Sequence, residues 1–167
     1  SYDVVVHETA HAVLDGLKGP VCLVFSRQDV PILDRTVLAP ASGLRKGAYV
    51  LADADSPDVV LVATGAEVST ALGARDLLAE KGVQARVVSM PSWELFEEQS
   101  EAYRASVLPP ELSARVSIEA GSTFGWSRWI GEHGVAFGID RFGDSAPAGT
   151  LYEKLGLSLE RIVRGVK

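Results

Sequence analysis

The chain has 167 residues, 47% of them hydrophobic and 23% charged, and 16 Lys+Arg against 22 Asp+Glu give a formal net charge of −6. That length suits one domain, or one and a fragment, and the acidic balance argues against a nucleic-acid binder, which would carry a basic face. The single cysteine, Cys22, leaves no internal disulfide and no thiolate zinc set; it fits a reducing cytoplasm, and no apolar run or leader pattern predicts a membrane partner.

Ser1 to His7 reads as no complete element. From Glu8 to Lys18 the spacing of Ala12, Val13 and Leu17 predicts a helix that Gly19-Pro20 ends. Val21 to Phe25 is a continuous apolar run, the pattern of a strand covered on both faces. Ser26-Arg27-Gln28-Asp29 then turns polar, and Pro31, Pro40 and Ala41-Ser42-Gly43 mark an irregular connection. A domain boundary is expected there.

Beyond Lys46 the pattern becomes regular. Strands are expected at Ala48 to Ala52 and Val59 to Ala63. Thr64-Gly65-Ala66-Glu67 has capping-box form, with Thr64 as the cap and Glu67 reaching back. A helix should run from there to Lys81, burying Val68, Ala71, Leu72, Leu78 and Ala79, and Gly82 should stop it. Val83 to Met90 predicts a strand closed by Pro91. Ser92 is placed to cap an acidic helical segment over Trp93 to Ser106, and Pro109-Pro110 interrupts it. A strand at Arg115 to Ala120, a helical turn over Gly125 to His133 and a strand at Val135 to Ile139 follow. Pro147 suits the first turn of a helix to Leu155, Gly156 stops it, and Ser158 to Val166 is a last helix. The order from about residue 47 is β-β-α-β-α-β-α-β-α-α. It implies an α/β fold, a mostly parallel twisted sheet with helices on both faces.

The residues offer little chemistry of their own. No Gly-x-Gly-x-x-Gly or Gly-x-x-x-x-Gly-Lys-Ser/Thr cradle is present, and Gly65 alone reads as a tight turn. His7-Glu8-Thr9-Ala10-His11 matches the zinc-helix pattern literally, but no third ligand stands at a convincing spacing. Cys22 lies in an apolar run, where burial blunts a thiol. Trp93, Trp126 and Trp129 read as packing residues. Glu67 and Glu119 fall near the carboxyl ends of strands, where open α/β sheets place ligands. Glu67 reads more simply as a cap, and for Glu119 a buried pairing and a catalytic role stay equally open. Arg27 directly follows an apolar strand between Ser26 and Gln28, a position from which a guanidinium grips phosphate bidentately or forms a structural ion pair.

One ordered set of motifs is specific. Ser-Arg-Gln at 26–28 follows Gly-Pro and the apolar strand, and then come Gly-Ala-Tyr-Val-Leu at 47–51 and Thr-Gly-Ala-Glu-Val at 64–68. Ala-Arg-Val-Val-Ser-Met-Pro at 85–91, Tyr-Arg-x-Ser-Val-Leu-Pro at 103–109, Glu-Ala-Gly at 119–121 and Phe-Gly-Asp-Ser-Ala-Pro at 142–147 complete it. This run resembles the late part of transketolase, with Ala66 where that family usually has serine. Ser1 to His7 does not match. The Ser-Arg-Gln and Phe-Gly-Asp-Ser-Ala-Pro stretches favour transketolase over deoxyxylulose phosphate synthase and the dehydrogenase second subunits.

The resemblance implies a transferase of the pentose phosphate pathway that moves two-carbon ketol units between sugar phosphates, using thiamine diphosphate and Mg2+. It implies three α/β domains per subunit and a homodimer. It assigns residues 1–43 to the tail of the pyrimidine-binding domain and 44–167 to the C-terminal domain. Arg27 is then the sugar-phosphate ligand, with Ser26 beside it. The cofactor and metal ligands and the catalytic glutamate and histidines belong to parts this chain lacks, so those roles are not given to Glu8, His7 or His11. The chain alone is expected to be inactive. The competing reading is a stand-alone α/β binding or assembly module without catalysis.

Overall fold

The computed structural model of the chain describes residues 29–166. The expected helix over Glu8 to Lys18 and strand over Val21 to Phe25 lie outside them, as do His7, Glu8, His11, Cys22, Ser26 and Arg27.

Five strands form one sheet: β1 (Tyr49–Ala52), β2 (Val59–Ala63), β3 (Ala85–Ser89), β4 (Arg115–Ile118) and β5 (Val135–Phe137). Their order is β1-β3-β2-β4-β5. β2 pairs parallel with β3 and β4, and β4 pairs parallel with β5. β1 alone runs antiparallel, against β3, with a register shift between Val50 and Ala52. The mostly parallel sheet is therefore as expected.

β2 carries the logic of the core. All five of its residues are buried. Val59, Leu61 and Ala63 face one hydrophobic cluster, and Val60 and Val62 face another. A strand covered on both faces has no polar side to show, which explains its unbroken apolar run. Each fully buried valine or leucine contributes about 1.5–3 kcal/mol.

On the first face lie α1 (Glu67–Ala79) and α6 (Leu159–Gly165), through Val68, Ala71, Ala74, Leu78, Ile162 and Val163. The inward stripe of α1 differs from the predicted one. Ala74 is buried and Ala79 is exposed, because the helix ends at Ala79 and its last turn unwinds towards Gly82 (φ +77). On the second face lie α2 (Trp93–Glu97), α3 (Glu101–Val107) and α4 (Ser127–Ile130). They bring Phe96, Val107, Trp126, Trp129 and Ile130 to the sheet. Trp93 meets Trp126 edge-on at 5.1 Å, and Phe96 meets Trp129 at 5.3 Å, so the tryptophans pack as their type suggested.

Ser92 caps α2 as predicted, its hydroxyl accepting from the Leu95 N–H. The single helical segment expected beyond it is two helices. Ser100 caps a second start by accepting from the Tyr103 N–H, so the chain breaks at Gln99. The turn over Gly125 to His133 shortens to α4, which ends at Gly131 (φ +78). Pro147 precedes rather than opens α5 (Ala148–Leu155), and Gly156 in the left-handed region stops it. Among the described residues, 29–40 hold no helix or strand ahead of the 3₁₀ turn Ala41–Lys46, yet Leu33, Leu38 and Ala39 pack against the first cluster.

Candidate functional site

From β2 the chain leads on to β3 on one side, while β4 and β5 lie on the other. The order of strands thus reverses between β2 and β4, and in an open α/β sheet that place opens a crevice at the strands' carboxyl ends. Here the crevice holds about 570 Å³, within the range of small-molecule sites. The turns after β2, β3, β4 and β5 and helix α5 line it.

The β2 turn is Thr64-Gly65-Ala66, with Gly65 at φ +59. The expected capping box does not form. Ala66 holds the cap position without a side-chain bond, and the Glu67 N–H donates to the Thr64 carbonyl at 3.3 Å. Glu67 turns inward instead and is 6% exposed. The Tyr152 hydroxyl, on α5, donates to its Oε1. A carboxylate bonded to a distant helix cannot also reach back along its own.

After β4, the Glu119 N–H donates to the Phe137 carbonyl at 3.0 Å and prolongs the ladder to β5. Its Oε2 accepts from the Trp126 indole at 2.7 Å, so the pairing left open by sequence is with a tryptophan. Beyond β5, Asp140 ties the two loops together. It accepts from Thr123 Oγ1 at 2.7 Å, the Thr123 N–H at 2.8 Å and Ser122 Oγ at 3.0 Å. The Thr123 hydroxyl, then the Thr123 N–H and the Ser122 hydroxyl, hold the Asp140 carboxyl below the usual carboxylate range.

Glu67 and Glu119, read separately in the sequence, thus line one crevice with Tyr152, which sequence reasoning missed. A tyrosine between Leu151 and Leu155 on a short amphipathic helix was its only signal. Among the described residues no Lys or Arg lines this crevice. Two carboxylates without a counter-cation repel a diphosphate, and among the described residues no three His, Cys, Asp or Glu side chains gather to hold a metal ion. The residues present do not fit thiamine diphosphate with its Mg2+. His133 is exposed before β5 and far in sequence from any partner base.

A second groove, of about 940 Å³, runs where the described chain begins. Asp29, Val30 and Pro31 lie in it with Ser69 of α1 and with Arg161 and Arg164 of α6. Among the described residues no helix is long and apolar enough to cross a membrane.

Residues 47–158 match the family model of the transketolase-like C-terminal domain. The chain belongs to the transketolase family. It is 49% identical over 167 residues to the chloroplastic transketolase of Craterostigma plantagineum, covering 96% of this chain and 32% of that protein. The transketolase of Pichia stipitis solved with sedoheptulose 7-phosphate superposes with a TM-score of 0.75 at 36% identity, over 84% of this chain and 20% of that one. A split gene transketolase solved as an inactive beta4 tetramer gives 0.63 at 27% identity, over 84% of this chain and 46% of that one. The chain spans a third or less of the curated relatives it matches, 32% of the first and 22% of the second. The sheet and its flanking helices are those of the transketolase C-terminal domain, as the motif order implied.

Proposed function

We propose that this chain works as the C-terminal portion of a transketolase that moves two-carbon ketol units between sugar phosphates, and that bond-making chemistry resides in parts it does not carry. The observation that carries this reading is the ordered motif set from Ser26 to Pro147, running through the family match at 47–158. The Pichia stipitis relative was solved with a sugar phosphate, which supports that substrate class. The acidic crevice supports placing thiamine diphosphate and Mg2+ elsewhere in the complete enzyme. The inactive tetramer of the split relative supports inactivity of this portion alone. The homodimer, the boundary near residues 43 and 44, and a cytoplasmic location for a chain whose one cysteine is Cys22 belong to the same reading.

In this reading Arg27 grips the substrate phosphate, and Ser26 stands beside it. The grip is remote binding energy: it holds the sugar so that its reactive end is aligned, without touching the bonds that change. Losing a hydrogen bond to a charged group costs about 1–3 kcal/mol, which is roughly 5- to 150-fold in affinity. Arg27→Ala in the full-length enzyme is therefore expected to raise KM for phosphorylated sugars by that factor and to leave cofactor affinity unchanged. Steady-state kinetics with and without the substrate phosphate checks this. An unchanged KM would remove Arg27 from the site.

A further inference from the structure

Two phenylalanines project from the carboxyl end of the sheet. Phe124, on the loop after β4, is 88% exposed, and Phe142, on the loop after β5, is 98% exposed. The two loops are braced against each other. Besides the three bonds that Asp140 accepts from Ser122 and Thr123, the Ile139 N–H donates to the Gly121 carbonyl at 2.6 Å and the Phe124 N–H donates to Ser122 Oγ at 3.2 Å. A Cβ on Gly138 would stand 2.7 Å from the Gly121 oxygen, so the loop backbones are in contact. The bonds that fix these loops therefore hold both rings out in water. Arg141 and Asp144 flank Phe142 and pair with each other at 3.4 Å, which leaves the rim of this surface without net charge. Apolar side chains presented on ordered loops mark a contact with another protein surface.

The path of the chain tells which surface covers them. Asp29, Val30 and Pro31 share the larger groove with Ala148 and Gly149 in the first turn of α5, and the Phe142 loop runs directly into that turn. Residues 140–150 are all exposed, and so are Ile32 and Val37 on the connection from Asp29. With the domain boundary proposed at residues 43 and 44, the strand expected at Val21 to Phe25 belongs to the preceding domain. Asp29 follows Phe25 by four residues, at most about 14 Å of extended chain. The preceding domain must then begin close to the first turn of α5, on the side where the Phe142 loop lies.

We propose that the paired loops carrying Phe124 and Phe142 are the seat against which the preceding domain of a complete transketolase packs, with both rings entering an apolar part of its surface. The inference rests on the reading of this chain as a C-terminal portion and uses neither Arg27 nor any substrate.

Hydroxyl-radical footprinting of the full-length enzyme and of the 167-residue chain, read ring by ring by mass spectrometry, tests it. Oxidation of Phe124 and Phe142 is expected to be at least about tenfold slower in the full-length enzyme, the protection of an interface core. Phe96, buried within the domain, is the slow reference in both. Phe142→Ser should move the melting temperature of the 167-residue chain by less than about 1 °C, because so exposed a ring loses no packing there, and should lower that of the full-length enzyme by at least about 2 °C. Equal oxidation of both rings in the two proteins would overturn the proposal. So would protection that arises in the 167-residue chain as its concentration is raised, which marks a second copy as the occupant. Ketol transfer is assayed on the same full-length samples. Transfer with unprotected rings removes the seat and leaves the functional reading standing, whereas protected rings without transfer do the reverse.

Discussion

Gly47→Ala is expected to lower the melting temperature by about 10 °C, the equivalent of about 3 kcal/mol in a domain of this size. Gly47 ends the 3₁₀ turn at φ +78, its N–H donating to the Leu44 carbonyl, and feeds β1. Its carbonyl accepts from the Ser92 N–H at 3.0 Å, so two backbones run side by side there. A Cβ at this position would stand 2.2 Å from the Phe96 nitrogen and 2.4 Å from the Ser92 oxygen. Neither atom is the end of a flexible side chain, so β1 or α2 must move. The left-handed φ adds about 1 kcal/mol for any residue with a Cβ. Gly65→Ala separates the two effects: its φ is +59, but nothing lies within 4 Å of the added carbon. Thermal melts of both variants should differ by most of the predicted shift. Equal melting temperatures would show that close approach of the backbones is not what Gly47 serves.

Arg115→Ala is the second large loss, also about 3 kcal/mol. The half-buried guanidinium donates to four carbonyls: Leu112 at 3.0 Å, Trp129 at 2.9 Å, Leu108 at 3.2 Å and Pro109 at 2.7 Å. It thereby fastens the α3–β4 connection and the end of α4 to the first residue of β4. Burial lowers the Arg115 pKa, and the charge of Glu111 opposes that effect. Removing the side chain leaves the carbonyls without their donor, and a lysine cannot reproduce the fork. Arg115→Lys should therefore recover less than half of the loss. Arg141→Ala is the control: an exposed arginine paired with an exposed Asp144 at 3.4 Å should change stability by less than about 1 kcal/mol. Denaturant unfolding of the three variants checks the order, and a similar loss in all of them would contradict it.

What local chemistry decides was readable in the chain. The apolar run of β2, the Ser92 cap, and the stops at Gly82 and Gly156 depend on neighbours a few residues away, and each is found where the residues place it. What distant partners decide was not. β1 reads as an ordinary strand, and only its pairing with β3 makes it antiparallel. Glu67 has the spacing of a cap, but Tyr152, 85 residues on, draws it into the crevice. Arg115 reads as the start of a strand, and its four carbonyls come from segments that only the folded chain gathers. The crevice was half legible for the same reason. Strand ends pointed to Glu67 and Glu119 singly, and the sheet order joins them.

In the division of labour proposed above, this portion holds and packs while carbon–carbon chemistry happens elsewhere in a complete transketolase. Ketol transfer between sugar phosphates, assayed with thiamine diphosphate and Mg2+ for the chain by itself and within the full-length enzyme, tests it most directly. The predicted result is no turnover by the chain alone and turnover by the whole. Turnover by these 167 residues unaided would contradict the account.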